Sequence, residues 1–202
     1  MNDRQVIDFF GTLDVPEGLR AELLRGDIVM TRSPDIVHNR TVAEIADGVP
    51  QPRWQRLQCQ YVEIHQETSE PVPDLVVLER GAGPESGRLL PVEAVTMLVE
   101  VVSSSSTHRD YVAKRSIYAA AGVPVYLIVD PIRAECLVLT EPNGSGERAD
   151  YRSRRMWKYG ETLLLSVLDI GIPTSAFPAY SGAVTKSISS STLPNNSGSR
   201  SR

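Results

Sequence analysis

The stretch Glu100-Val101-Val102-Ser103-Ser104-Ser105-Ser106-Thr107-His108-Arg109-Asp110-Tyr111-Val112-Ala113-Lys114 decides how this chain is read. It continues the apolar run Val95-Thr96-Met97-Leu98-Val99, so Glu100 ends a strand. The pleat over 95–102 sends Thr96, Leu98, Glu100 and Val102 to one face. The serine run then predicts a helix start, capped by Ser106 or Thr107, and places Asp110 and Lys114 four residues apart on one helix face. Upstream, Pro73-Asp74-Leu75-Val76-Val77-Leu78 sets a second carboxylate in an apolar strand. Burying such a carboxylate is costly unless a cation compensates it. Two that meet across a ladder raise one pKa unless a metal ion sits between them. A helix folded back over the sheet brings Lys114 to Glu100 and Asp74. Two carboxylates holding Mg²⁺ (or Mn²⁺) beside an ammonium form a general phosphodiester-cleaving arrangement. Oxygen ligands without a Cys/His set favour these hard cations over zinc.

Outward from this centre the pattern is mixed α and β. Residues 6–13 repeat apolar positions at helical spacing. Ala21–Leu24 and Asp27–Met30 flank Arg25-Gly26 as a hairpin. Ser33-Pro34-Asp35 predicts a helix start with Ser33 as cap and Pro34 in the first turn, the helix running to about Asp47 before Gly48 and Pro50. Strands are expected over 57–64, 72–78 and 95–102. The segment 125–129 is apolar on both faces, as a central strand is. Further strands follow over 135–140, 151–158 and 162–166, the last two closing the sheet.

The chain has 202 residues and a formal charge of -4, enough for one domain with a substantial core. That charge excludes bulk electrostatic coating of nucleic acid but not a local basic groove. Cys59 and Cys136 sit in strand-like runs and are expected as buried free thiols. The start lacks a basic, apolar leader and no run is long enough to span a bilayer, so a cytoplasmic protein without a membrane partner is expected. The expected layout is a nuclease-like domain over 1–182 and a disordered Ser-rich tail over 183–202.

Several quoted segments, in this order, resemble the Uma-two family of restriction endonucleases, within the PD-(D/E)xK phosphodiesterase superfamily. They are Glu22-Leu23-Leu24-Arg25-Gly26-Asp27-Ile28-Val29-Met30, Ser33-Pro34 with His38, Pro73-Asp74-Leu75-Val76-Val77, Glu100-Val101-Val102-Ser103 with Asp110 and Lys114, Ala121-Gly122-Val123-Pro124, and Val129-Asp130-Pro131. The resemblance implies an α/β (α+β) restriction-endonuclease-like core, a mixed central sheet of four or five strands flanked by helices, with the site at one edge. It implies that Asp74 and Glu100 hold the metal, with the Val101 carbonyl as third ligand. Glu22 matches an early glutamate that serves a second ion or a water. The superfamily's lysine stands two residues after the glutamate, where this chain has Val102; Lys114 matches the position that supplies the amine instead. Ser104 replaces a proline frequent in relatives.

Simpler readings stand beside these. Asp74 after proline fits a turn, Glu100 fits a salt bridge to Lys114 or Arg115, and Glu22 fits a plain hairpin residue. Asp110 is expected to support Lys114 by pairing with it, and His38, in a stripe with Val42 and Ile45, to be a packed, hydrogen-bonded histidine with a secondary role beside the site. Arg152, Arg154, Arg155 and Lys158, interleaved with aromatics, fit either a nucleic-acid contact or a blunted sheet edge. The reading that results is a metal-dependent endonuclease hydrolysing DNA phosphodiester bonds, as a possible homodimer. The alternative is a catalytically inactive nucleic-acid-binding or protein-interaction module that keeps the fold.

Overall fold

The computed structural model describes residues 2–180; the tail expected over 183–202 lies outside them. The chain opens with α1 (Asp3–Gly11), whose Asn2 and Gln5 form a reciprocal capping box. The hairpin of β1 (Leu19–Leu24) and β2 (Asp27–Arg32) follows. Its two-residue turn has Arg25 and Gly26 both at positive φ, the conformation that matches the twist of paired strands. Then come α2 (Ile36–Asp47), β3 (Trp54–Gln58), β4 (Tyr61–Glu63), β5 (Leu75–Glu79), β6 (Leu89–Pro91) and β7 (Met97–Val101). A π-helical turn over Arg109–Ala113 leads into α3 (Lys114–Ala120). The remainder is β8 (Val125–Asp130), β9 (Glu135–Asn143), β10 (Asp150–Lys158), β11 (Thr162–Leu165) and β12 (Ile170–Pro173).

The central sheet has six strands in the order β10-β9-β8-β7-β5-β3, one more than the upper expectation. It is mixed: β7 and β8 run parallel, joined through α3, and the other pairs are antiparallel. All six residues of β8 are buried, which agrees with the apolar run predicting a central strand. Side chains alternate between two cores. On one face Leu98, Val76, Tyr126 and Ile128 pack against Ile117 and Tyr118 of α3. On the other, Met97, Val99, Leu75 and Val77 pack against Val42 and Ile45 of α2. A small third cluster joins Phe10 of α1 to Ala21 and Leu23 of β1. Each such aliphatic side chain contributes roughly 1.5–3 kcal/mol by leaving water.

Several local expectations are corrected. The cap of α2 is Asp35, whose carboxylate accepts from the His38 amide, so the helix begins after Ser33-Pro34 and not on it. The strand expected over 57–64 is broken at Cys59, which sits at φ 54 between β3 and β4 and is exposed; only Cys136 is a buried thiol. The β10 strand does join the sheet, but β11 leaves it to pair with β12 in a separate hairpin. Among the described residues no helix is long and apolar enough to cross a membrane.

Candidate active site

The β5–β7 pairing sets Leu75 opposite Val99, so one further step along the register puts Asp74 opposite Glu100. Directly opposed residues of an antiparallel pair point to the same side. The two carboxylates therefore open into one cleft of about 570 Å³, lined also by Glu22, His38, Asp110 and Lys114. The six side chains expected at the site, Glu22, His38, Asp74, Glu100, Asp110 and Lys114, converge here, whereas the basic stretch Arg152–Lys158 lies on β10 away from it. Glu100 lies on a strand in the middle of the sheet, so the cleft opens at the end of β7 and not along a sheet edge.

Each carboxylate is held by one oxygen. Asp74 Oδ2 accepts from His38 Nε2 at 2.9 Å and from the Val101 amide at 2.8 Å. An ionised carboxylate only accepts, so Nε2 of His38 carries the proton. Burial pushes the Asp74 pKa up, but the His38 contact and the Val101 amide outweigh it and the net shift is downward. Glu100 Oε1 accepts from Lys114 Nζ at 2.7 Å and from the Tyr118 hydroxyl at 2.9 Å. Burial nevertheless carries Glu100 well above the usual carboxylate range; Lys114 opposes this, while the charges of Asp74, Asp110 and Glu22 add to it.

Lys114 is only 2 % exposed and bridges Glu100 and Glu22, the latter at 2.6 Å. Burial lowers its pKa, yet the three surrounding carboxylates win and it is raised overall, so it stays an ammonium. The salt bridge of the simpler reading thus forms with Lys114, and Arg115 turns away to a bidentate pair with Asp150. Glu22 Oε1 also accepts from the Val72 amide. It thus ties the lysine to the chain before Asp74, a contact that a hairpin pattern alone did not reveal. Asp110 does not pair with Lys114. Its Oδ2 accepts from the Ser106 hydroxyl, and burial raises its pKa to about 6. The π turn that begins at Arg109 is the cause: its wider helical step breaks the i, i+4 alignment that an α-helix would impose.

Sequence reasoning missed Tyr118, Arg20 and Arg109. Tyr118 stands four residues after Lys114 on α3, so helical spacing was a usable signal. Arg20 shares the β1 face of Glu22 by strand alternation. Its Nη1 lies 3.7 Å from Asp74 Oδ1, and Arg109 Nε lies 3.7 Å from Glu22 Oε2.

A hard divalent cation fits these donors. Asp74 Oδ1 and Glu100 Oε2 have no hydrogen bond among the described residues, and both side chains line the cleft. The Val101 carbonyl lies beyond the β5–β7 ladder. Among the described residues no cluster of three His, Cys, Asp or Glu side chains is spaced for a metal. Two carboxylates, one main-chain oxygen and waters are the set Mg²⁺ accepts, since it dehydrates reluctantly. Five carboxylates, Glu22, Asp35, Asp74, Glu100 and Asp110, against four fixed cations, Arg20, Arg32, Arg109 and Lys114, also leave the cleft short of positive charge.

Comparison with known proteins agrees with the fold. A crystal structure from Anabaena variabilis ATCC 29413, of "a putative nuclease belonging to DUF820", superposes with a TM-score of 0.67 at 14% identity, over 84% of this chain and 94% of that one. At that identity the likeness is one of fold. No curated protein matches the chain. The Uma2 (Uma-two) family, described as "Putative restriction endonuclease", matches residues 7–172, and the chain belongs to it.

Proposed function

We infer that this protein is a metal-dependent endonuclease that hydrolyses phosphodiester bonds of DNA. The observation that carries the reading is the convergence of Asp74, Glu100 and Lys114 on one open cleft, each carboxylate with an unengaged oxygen. Asp74 and Glu100, with the Val101 carbonyl, would hold Mg²⁺ or Mn²⁺. When bound, such an ion supplies a water of lowered pKa and offsets charge on the phosphorane. The remaining work belongs to the chain. His38 and the Val101 amide keep Asp74 ionised and oriented. Tyr118 fixes the rotamer of Glu100. Lys114, permanently protonated between Glu22 and Glu100, acts as a fixed charge that orients the attacking water and does not remove its proton.

One observation favours the rival, an inactive module that keeps the fold: Lys114 pairs with both Glu22 and Glu100, as a purely structural ion network would. Plasmid nicking separates the two. Nicking should require Mn²⁺ or Mg²⁺, stop with chelator, and vanish in Glu100→Ala. Activity that survives this substitution would rule out the assigned residues.

A further inference from the structure

We propose that Arg109 is the ligand for the substrate's backbone phosphate in this cleft, with Arg20 facing it from β1. The inference rests on the phosphodiesterase reading above and names the groups that would grip the anion. The cleft lining brings both guanidiniums to the carboxylates from independent elements, the π turn and the first hairpin. Their state differs from that of the other partly buried arginines. Arg25 is consumed by Glu67 and Ser116, and Arg115 by both oxygens of Asp150. Arg109 donates no hydrogen bond to a described residue: its nearest acceptors, Glu22 Oε2 and Asp110 Oδ1, stand at 3.7 and 3.8 Å, too far to bond. Its Nε is a buried donor without an acceptor. Arg20 gives Nη2 to the Cys59 sulfur at 3.1 Å and keeps Nη1 at 3.7 Å from Asp74.

A guanidinium held near carboxylates but not hydrogen-bonded to them keeps its planar fork for another anion. Two oxygens of a phosphodiester match that fork, which makes arginine suited to planar, bidentate phosphate recognition. The cluster needs this. An acidic cleft repels a polyanion, and the open fork of Arg109, with the second charge of Arg20, offsets the repulsion where the scissile phosphate must lie. The π turn supplies the placement, since it lets Arg109 and Asp110 face the cleft while Lys114 stays registered on α3.

The competing surface is the basic stretch of β10, where Arg154 is exposed. Binding of a fluorescently labelled mixed-sequence DNA duplex, followed by anisotropy in EDTA over a salt series, decides between them. Arg109→Ala should weaken binding and flatten the slope of log K against log salt by about 0.9, one phosphate contact. Arg109→Lys should recover most of that slope while leaving KM for nicking raised, because a point charge replaces a fork. Arg154→Ala should leave the slope unchanged. If Arg109→Ala fails to fold, Arg109→Gln, which keeps a polar group of similar reach, carries the same expectation. A slope unaltered by loss of Arg109, or lowered only by Arg154→Ala, overturns the assignment while the nuclease reading stands. No duplex binding by the wild type at low salt defeats both.

Discussion

Lys114 concentrates the energetics of the site in one side chain. It is buried at the wall of the cleft with two carboxylates on its ammonium. Removing one member of a buried ion network leaves the others uncompensated, at a cost of about 3–5 kcal/mol. Lys114→Met should therefore be destabilised by that order in urea unfolding, and a loss below ~1 kcal/mol would show that water reaches the triad. Asp110 gives a pH signature. Its pKa is about 6 in the fold against 3.8 for the ordinary group, so the folded state holds its proton more tightly. Its contribution is thus present at low pH and lost as pH rises from about 4 through about 6. Asp110→Asn removes that loss. Measured in EDTA, the variant should gain on the wild type across this window by up to about 3 kcal/mol. A pH-independent difference would place the titration elsewhere. The roles of Asp74, Glu100 and Lys114 as neighbours were legible because a carboxylate inside Val and Leu demands a partner. The bond between Asp110 and Ser106 was not, because nothing in the spacing announces a π turn.

At the scale of elements, α2 is positioned by how closely its end approaches the small β11–β12 hairpin. A Cβ on Gly48 would meet Ile172 Cγ2 at 2.7 Å and Cγ1 at 2.8 Å. Gly48 has ordinary right-handed dihedrals, so the restriction is steric and not conformational. Gly48→Ala should cost roughly 1–3 kcal/mol through overpacking. Because α2 also carries His38, the same substitution should lower nicking more than a matched surface change does. Thermal unfolding and initial rates check both parts. Strands of the central sheet could be read directly, since runs such as 125–129 and 75–78 are too apolar for an exposed segment. The three-residue β4 and β6 could not, because so short a strand shows no periodicity. The fate of β11 was equally hidden: its alternation fits a small hairpin as well as a sixth or seventh ladder.

For the molecule as a whole, a cation bound at the proposed site would couple metal, proton and fold. Glu100 rides above its ordinary pKa because burial disfavours its charge and the neighbouring carboxylates add to that against one ammonium. A cation that binds the folded state alone stabilises it by mass action, by about 2.7 kcal/mol at a hundredfold excess over Kd. Mn²⁺ should accordingly raise Tm, and the rise should grow with pH as the proton it displaces becomes easier to remove. Glu100→Gln should abolish the rise, and a Tm indifferent to Mn²⁺ would favour the inactive module. The overall architecture was within reach of the sequence because its apolar runs, crossover helix and turn residues agree with one another. The convergence of Glu22 from the first hairpin was not, since it depends on how that hairpin folds against the segment before β5.

The chain holds three lysines, at 114, 158 and 186. Lys158 is 63% exposed, whereas the Lys114 amine is shut away and protonated. Acylating or methylating reagents should consequently spare Lys114 in the native protein and modify it only on an opening of the Glu22–Lys114–Glu100 network. Its labelling rate, followed by peptide mass spectrometry, becomes a clock for that opening, and surface amines can be tagged or methylated without disarming the enzyme.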